Sequence, residues 1–232
     1  MSTIYLVRHG QASFGTDNYD RLSANGQEQV RLLGEFFAAS GEPIDRIYSG
    51  QLQRQRETAE ILGQALGIAA TAVQIEPAFD EYDSDVMLRT FAASLDARQL
   101  EEAGWPAARH DRRKFQFFLE RAARAWVEAR IAAEEMLPWK GFHGRIVAAL
   151  DAIMRTEGRS KTLIVSTSGG VIGTAVAHVL GLSNHRGIEL NWAVHNASLT
   201  RLIYSADKVS LSMFNALPHL DRPDRRALIT YR

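Results

Sequence analysis

Two short apolar runs constrain this chain more than anything else in it. Thr3-Ile4-Tyr5-Leu6-Val7 and Thr162-Leu163-Ile164-Val165-Ser166-Thr167 are brief, rich in β-branched side chains and free of polar alternation. Each therefore reads as a strand buried on both faces, and such a strand needs helices above and below it. The intervening text supplies them. Ser23 is placed as an N-cap, and Val30, Leu32, Leu33, Phe36 and Phe37 follow at helical spacing until Gly41 closes the helix. Pro43 to Ser49 reads as a second strand, and Leu52 to Leu66 as a second helix ending at Gly67. Val73-Gln74-Ile75 is a third strand, leading into the acidic loop Asp80 to Asp85. Phe142 to Met154 and Gly169 to Leu180 are further helices, and 198–204 with 209–214 alternate as a closing hairpin. The pattern predicts an α/β chain, a three-layer α/β/α sandwich around a mostly parallel sheet. Residues 1–232 are expected to form one domain, with a helical insertion at about 86–138 that either packs as an ordinary helical face or acts as a lid.

Ligands in such folds collect where parallel strands end. Three segments sit at such ends: Arg8-His9-Gly10, Ser49 to Arg54, and Ser166 to Gly170. An arginine fork matches phosphate oxygens, and a histidine that is neutral near pH 7 can act as a nucleophile without a separate base. Gly10 lets backbone approach a ligand closely. Charge narrows the partners: 27 basic residues balance 27 acidic ones, so no overall field draws in nucleic acid or an anionic membrane, and any anion site is local. With no cysteines, disulfides, thiolate catalysis and Cys-ligated zinc are excluded. The histidines lack metal-ligand spacing, so neither a metal nor a cofactor is expected. No basic-then-apolar leader precedes the first strand and no apolar stretch approaches 18 residues; a cytoplasmic protein without a membrane span is the expectation.

The run Arg8-His9-Gly10-Gln11-Ala12-Ser13, followed by Leu22-Ser23-Ala24-Asn25-Gly26-Gln27-Glu28-Gln29, resembles the histidine phosphatase superfamily, also called phosphoglycerate mutase-like, and the likeness spans nearly the whole chain. It implies a phosphatase acting on a small-molecule or peptidic phosphate monoester through a phosphohistidine on His9, with Arg8 gripping the phosphoryl oxygens. Ser49-Gly50-Gln51-Leu52-Gln53-Arg54 with Thr58-Ala59 matches the family segment that places a second phosphate arginine at Arg54. Arg56 is its rival, and helical geometry lets only one of the two face the pocket. Phe79-Asp80-Glu81-Tyr82-Asp83 resembles the segment carrying the general acid, assigned to Glu81, whose carboxyl is expected to stay protonated near neutrality among other carboxyls. The departure lies at Val165-Ser166-Thr167-Ser168-Gly169-Gly170, where the family reads Ser-His-Gly-Gly. Ser168 stands in the place of a second histidine, leaving its hydroxyl and the Gly169 amide for phosphate. His195 is the most plausible substitute imidazole, while His110, His143, His178, His185 and His219 read as structural. The alternative is a catalytically impaired phosphate-ester binding or regulatory protein on the same fold. A mutase ranks below both, and a serine hydrolase built on Ser168 lacks the required glycine elbow.

Overall fold

The structure is a computed structural model that describes residues 1–13, 19–105, 111–205 and 208–231. The chain runs β1 (Ser2–Arg8), α1 (Ala24–Ser40), β2 (Arg46–Ser49), α2 (Gln53–Ala65), β3 (Gln74–Ile75), α3 (Ser84–Ala93), α4 (Ala97–Glu102), α5 (Arg112–Val127) and α6 (Trp139–Glu157), then β4 (Thr162–Thr167), α7 (Gly169–Leu180), α8 (Asn184–Ala193), β5 (Leu199–Tyr204) and β6 (Val209–Ala216). The strands form one six-stranded sheet in the order β3-β2-β4-β1-β5-β6. The first four of these strands run parallel, while β5 and β6 are antiparallel. The fold is the α/β sandwich that the sequence predicts, with a mixed sheet.

Local signals explain the elements. Ser23 accepts from the Gly26 amide at the start of α1, and Gly41 ends that helix in the left-handed region at φ 66°, where glycine has no Cβ to clash. Leu52 precedes α2 without a capping oxygen, so the Gln53 amide goes to Asp20 Oδ2 at 2.8 Å instead. α8 is not anticipated from the apolar pattern; Ser183, accepting from the Arg186 amide, is its one sequence signal. On one sheet face Tyr5, Val7, Ile47 and Ile164 pack with Val30, Leu33 and Phe37 of α1 and Ala59 and Leu62 of α2. The alternate residues Ile4, Leu6, Leu163 and Val165, on the opposite face, are equally buried. Each such side chain contributes roughly 1.5–3 kcal/mol, which makes the sheet centre a stiff frame.

Register then aligns the strand ends. Arg8 pairs with Thr167 across β1 and β4, and Ser49 with Ser166 across β2 and β4. The turns after residues 8, 49 and 167 therefore open at one sheet edge. The chain forms two compact units, Met1–Glu81 with Ile146–Arg232, and Tyr82–Arg145. The second unit has its own aromatic cluster, in which Trp126 meets Tyr82, Trp139 and Phe142 at centroid distances of 5.0, 5.1 and 5.4 Å. Trp105 stacks on Phe118 at 4.5 Å, whereas Phe117 stays exposed. Among the described residues no helix is long and apolar enough to cross a membrane.

Candidate active site

His9 follows β1 directly, and its backbone is held from both sides. Its amide donates to Thr167 O at 2.8 Å, and its carbonyl accepts from the Ala197 amide at 3.2 Å and from Asn196 Nδ2 at 3.4 Å. The ring is 95% hidden and makes two informative bonds. Nδ1 lies 2.7 Å from Gly10 O, and Nε2 lies 3.1 Å from Arg54 Nε. A carbonyl can only accept and a guanidinium can only donate, so Nδ1 carries the proton and Nε2 presents a lone pair. Burial, then Arg54, then Arg8 push the imidazole well below its usual 6.5, because each disfavours a second positive charge. An uncharged imidazole with a bare Nε2 is a competent nucleophile toward phosphorus.

Arg54 projects inward from the first turn of α2. Its Nε reaches His9 while Nη1 pairs with Asp20. Arg56, two residues on, is exposed, so the helix turns the rival outward. Asp20 is absent from the sequence expectations; it sits in a short polar stretch with nothing to distinguish it, and only the fold brings it to Arg54. Arg8 ends β1 and donates through Nη1 to Val194 O, which leaves its charge beside His9. Gly10 is also required by packing. A Cβ there would lie 2.4 Å from Gly26 O and 2.9 Å from Val30 Cγ2, so its smallness serves contact with α1. Its amide donates to Thr58 Oγ1 at 3.2 Å, tying the loop after His9 to α2.

At the β4–α7 turn, Ser168 occupies the N-cap position yet makes no side-chain capping bond. Its Oγ instead accepts from Gln55 Nε2 at 2.9 Å. The cap comes from Glu81, whose Oε2 accepts from the Gly170 amide at 2.9 Å, so this carboxyl lies at the positive end of a helix. Gly169 opens α7, buried against Asn191. The register and bonds thus bring His9, Arg54, Ser168 and Glu81 to the same sheet edge.

His195 does not fill the histidine gap, because its ring contacts are with Asn215 Oδ1 and Tyr231. His143, His178 and His185 lie on α6, α7 and α8, and His110 lies outside the described residues. His219 is the unexpected one. It is 2% exposed, has no hydrogen-bond partner for either ring nitrogen among the described residues, and is pushed down to about 3, first by burial and then by Arg225. Below its ordinary value the unfolded chain binds a proton that the folded chain refuses, so stability falls as pH drops from 6.5 toward 3. At ~1.36 kcal/mol per unit, lowering the pH from 7 to 5 costs about 2 kcal/mol through this residue. Urea unfolding of His219→Phe should show that loss removed; an undiminished acid loss would clear His219.

Comparison with known proteins gives the chain a family. The sequence profile of the histidine phosphatase superfamily (branch 1) matches residues 4–217. A probable phosphoglycerate mutase GpmB of Salmonella paratyphi B is 27% identical over 234 residues, covering 96% of this chain and 97% of that protein. A mycobacterial glucosyl-3-phosphoglycerate phosphatase in complex with VO3 has a TM-score of 0.63 at 22% identity, covering 92% of this chain and 99% of the other. A phosphoserine phosphatase mutant from Entamoeba histolytica, in complex with phosphoserine, has a TM-score of 0.61 at 17% identity, covering 95% and 100%. At these identities the structural likenesses carry the fold alone.

Proposed function

Since the chain belongs to the histidine phosphatase superfamily, we propose that it hydrolyses a small or peptidic phosphate monoester through a phosphohistidine on His9. The observation that carries this reading is the forced tautomer of His9, with Nε2 bare and 3.1 Å from Arg54 Nε. An arriving phosphoryl group offers the guanidinium oxygens in place of the imidazole, which frees the Nε2 lone pair. Nε2 then bonds to phosphorus as the ester P–O bond breaks, and the departing oxygen takes a proton from the Glu81 carboxyl, whose protonated form the negative charge of the arriving phosphoryl group favours against the pull of the helix end. Water next attacks phosphorus, Glu81 takes its proton, and the P–N bond breaks to return neutral His9 and inorganic phosphate. Arg8 and Arg54 supply the positive charge, and Ser168 with the first amides of α7 supplies hydrogen bonds.

A cleft of about 500 Å³ lies against the loop after His9 and the start of α1, lined by polar and apolar residues alike, Gln11, Arg21 and Gln27 beside Ala12 and Leu22; its size suits a small ligand. The relatives, a probable mutase and two phosphatases, differ in whether water or a hydroxyl receives the phosphoryl group, and water is the acceptor in our reading. Incubation with an aryl phosphate is the test. Steady release of inorganic phosphate, with acid-labile and base-stable label on the protein in rapid quench, is the expected result. Tight phosphate binding without turnover would favour instead a binding protein weakened by serine at position 168, and absence of both would overturn the reading.

A further inference from the structure

The Ser168 hydroxyl and the Gln55 amide are both buried, at 1% and 0% exposure, and their hydrogen bonds can be assigned completely. Gln55 Nε2 lies 3.0 Å from Phe79 O and 2.9 Å from Ser168 Oγ, while Gln55 Oε1 lies 3.3 Å from the Leu52 amide. A carbonyl only accepts and a backbone amide only donates, so the side-chain amide has one possible orientation. Both Nε2 hydrogens are then spent, one on Phe79 O and one on Ser168 Oγ. Ser168 is therefore the acceptor in that pair, and its own proton must point elsewhere. Among the described residues that proton has no acceptor, and the oxygen, which at an N-cap ordinarily accepts from a helix amide, accepts from Gln55 instead. Ser168 follows the Arg8–Thr167 pairing by one residue, in the β4–α7 turn, next to the Thr167 carbonyl that accepts from the His9 amide.

The surrounding chain is shaped to the amide. A Cβ on Gly50 would fall 2.0 Å from Gln55 Oε1 and 2.7 Å from Asp80 Oδ1, so a side chain at that position would push both groups from their present places. Gln55 Nε2 lies only 2.9 Å from Ser168 Oγ, so an imidazole extending along the same direction from position 168 would run into the amide.

We propose that Gln55 is a positioning residue that turns the Ser168 hydroxyl into a neutral donor aimed at the substrate's phosphoryl group, and that Gln55 and Ser168 together occupy the place of a single histidine. The inference rests on the phosphatase reading and deepens it. One consequence reverses the simplest expectation: Ser168→His alone lowers activity, because Gln55 blocks the ring, whereas Ser168→His combined with Gln55→Ala recovers it.

The test is a double-mutant cycle on kcat for an aryl phosphate and on the dissociation constant of inorganic phosphate. Ser168→Ala and the nearly isosteric Gln55→Met are each expected to lower kcat about tenfold, the scale of one hydrogen bond to a charged group. The double variant should lose no more than either single variant, because both remove the same donor. Gln55→Met keeps the buried volume, so its result stands even if Gln55→Ala folds poorly. A merely structural Gln55 would instead lower kcat equally with and without the Ser168 hydroxyl. Additive losses, or Ser168→His alone as active as its combination with Gln55→Ala, would overturn the proposal. If the wild type turns nothing over, the phosphatase reading fails, and the coupling in phosphate affinity still decides whether Gln55 orients Ser168.

Discussion

Replacing His9 by alanine is expected to cut aryl phosphate hydrolysis at least a thousandfold, because no other group in the site can form the covalent intermediate. The fold should survive. His9 is fastened mainly through its backbone, to Thr167, Ala197 and Asn196, and Arg54 keeps its Asp20 partner when the ring is gone. Circular dichroism and binding of inorganic phosphate should therefore stay close to wild type while turnover disappears. The pH profile adds a second check. With the imidazole held neutral well below 6.5, the wild type should keep its nucleophile, and hence its rate of phosphohistidine formation, as pH falls through that value. Hydrolysis by His9→Ala at the wild-type rate would remove this residue from the mechanism and the proposed function with it.

Arg54→Lys is expected to lower kcat/KM by about 10²–10³, the cost of removing one preorganised charged donor from a transition state. The substitution keeps the charge and loses the geometry. Arg54 uses Nε toward His9 and Nη1 toward Asp20, two directions set by one rigid plane, whereas a lysine ammonium is a single point on a flexible stem. Arg56→Lys is the matched control. That side chain is exposed one helical step away, so its replacement should leave kcat/KM within about twofold, as for surface changes away from special features. Equal losses at the two positions would mean that overall charge, and not the Arg54 fork, drives the effect.

Much of the site's frame was legible because it follows from local rules. Four uninterrupted apolar residues, Ile4 to Val7, before Arg8-His9 can be little but a buried strand, and the fold class follows from alternation of such strands with capped helices such as α1 between Ser23 and Gly41. Helical periodicity could likewise state that only one of Arg54 and Arg56 points inward. It could not say which, since inward has meaning only once α2 is laid against the sheet. Gly10 shows the same limit: its need for smallness was readable, but its cause is the Gly26 and Val30 contact across α1.

What sequence could not supply are the partners that only long-range closure brings together. Asp20 meets Arg54 across 34 residues, Gln55 meets Ser168 across 113, and Asn196 reaches the His9 carbonyl across 187. His219 reads as a tail residue and is deeply buried. Local sequence sets strands, caps and the order of chemical groups through short-range sterics and hydrogen bonding. Which lone pair is bare, which hydroxyl lacks an acceptor and which arginine turns inward depend on burial and on contacts that exist only after the sheet has assembled.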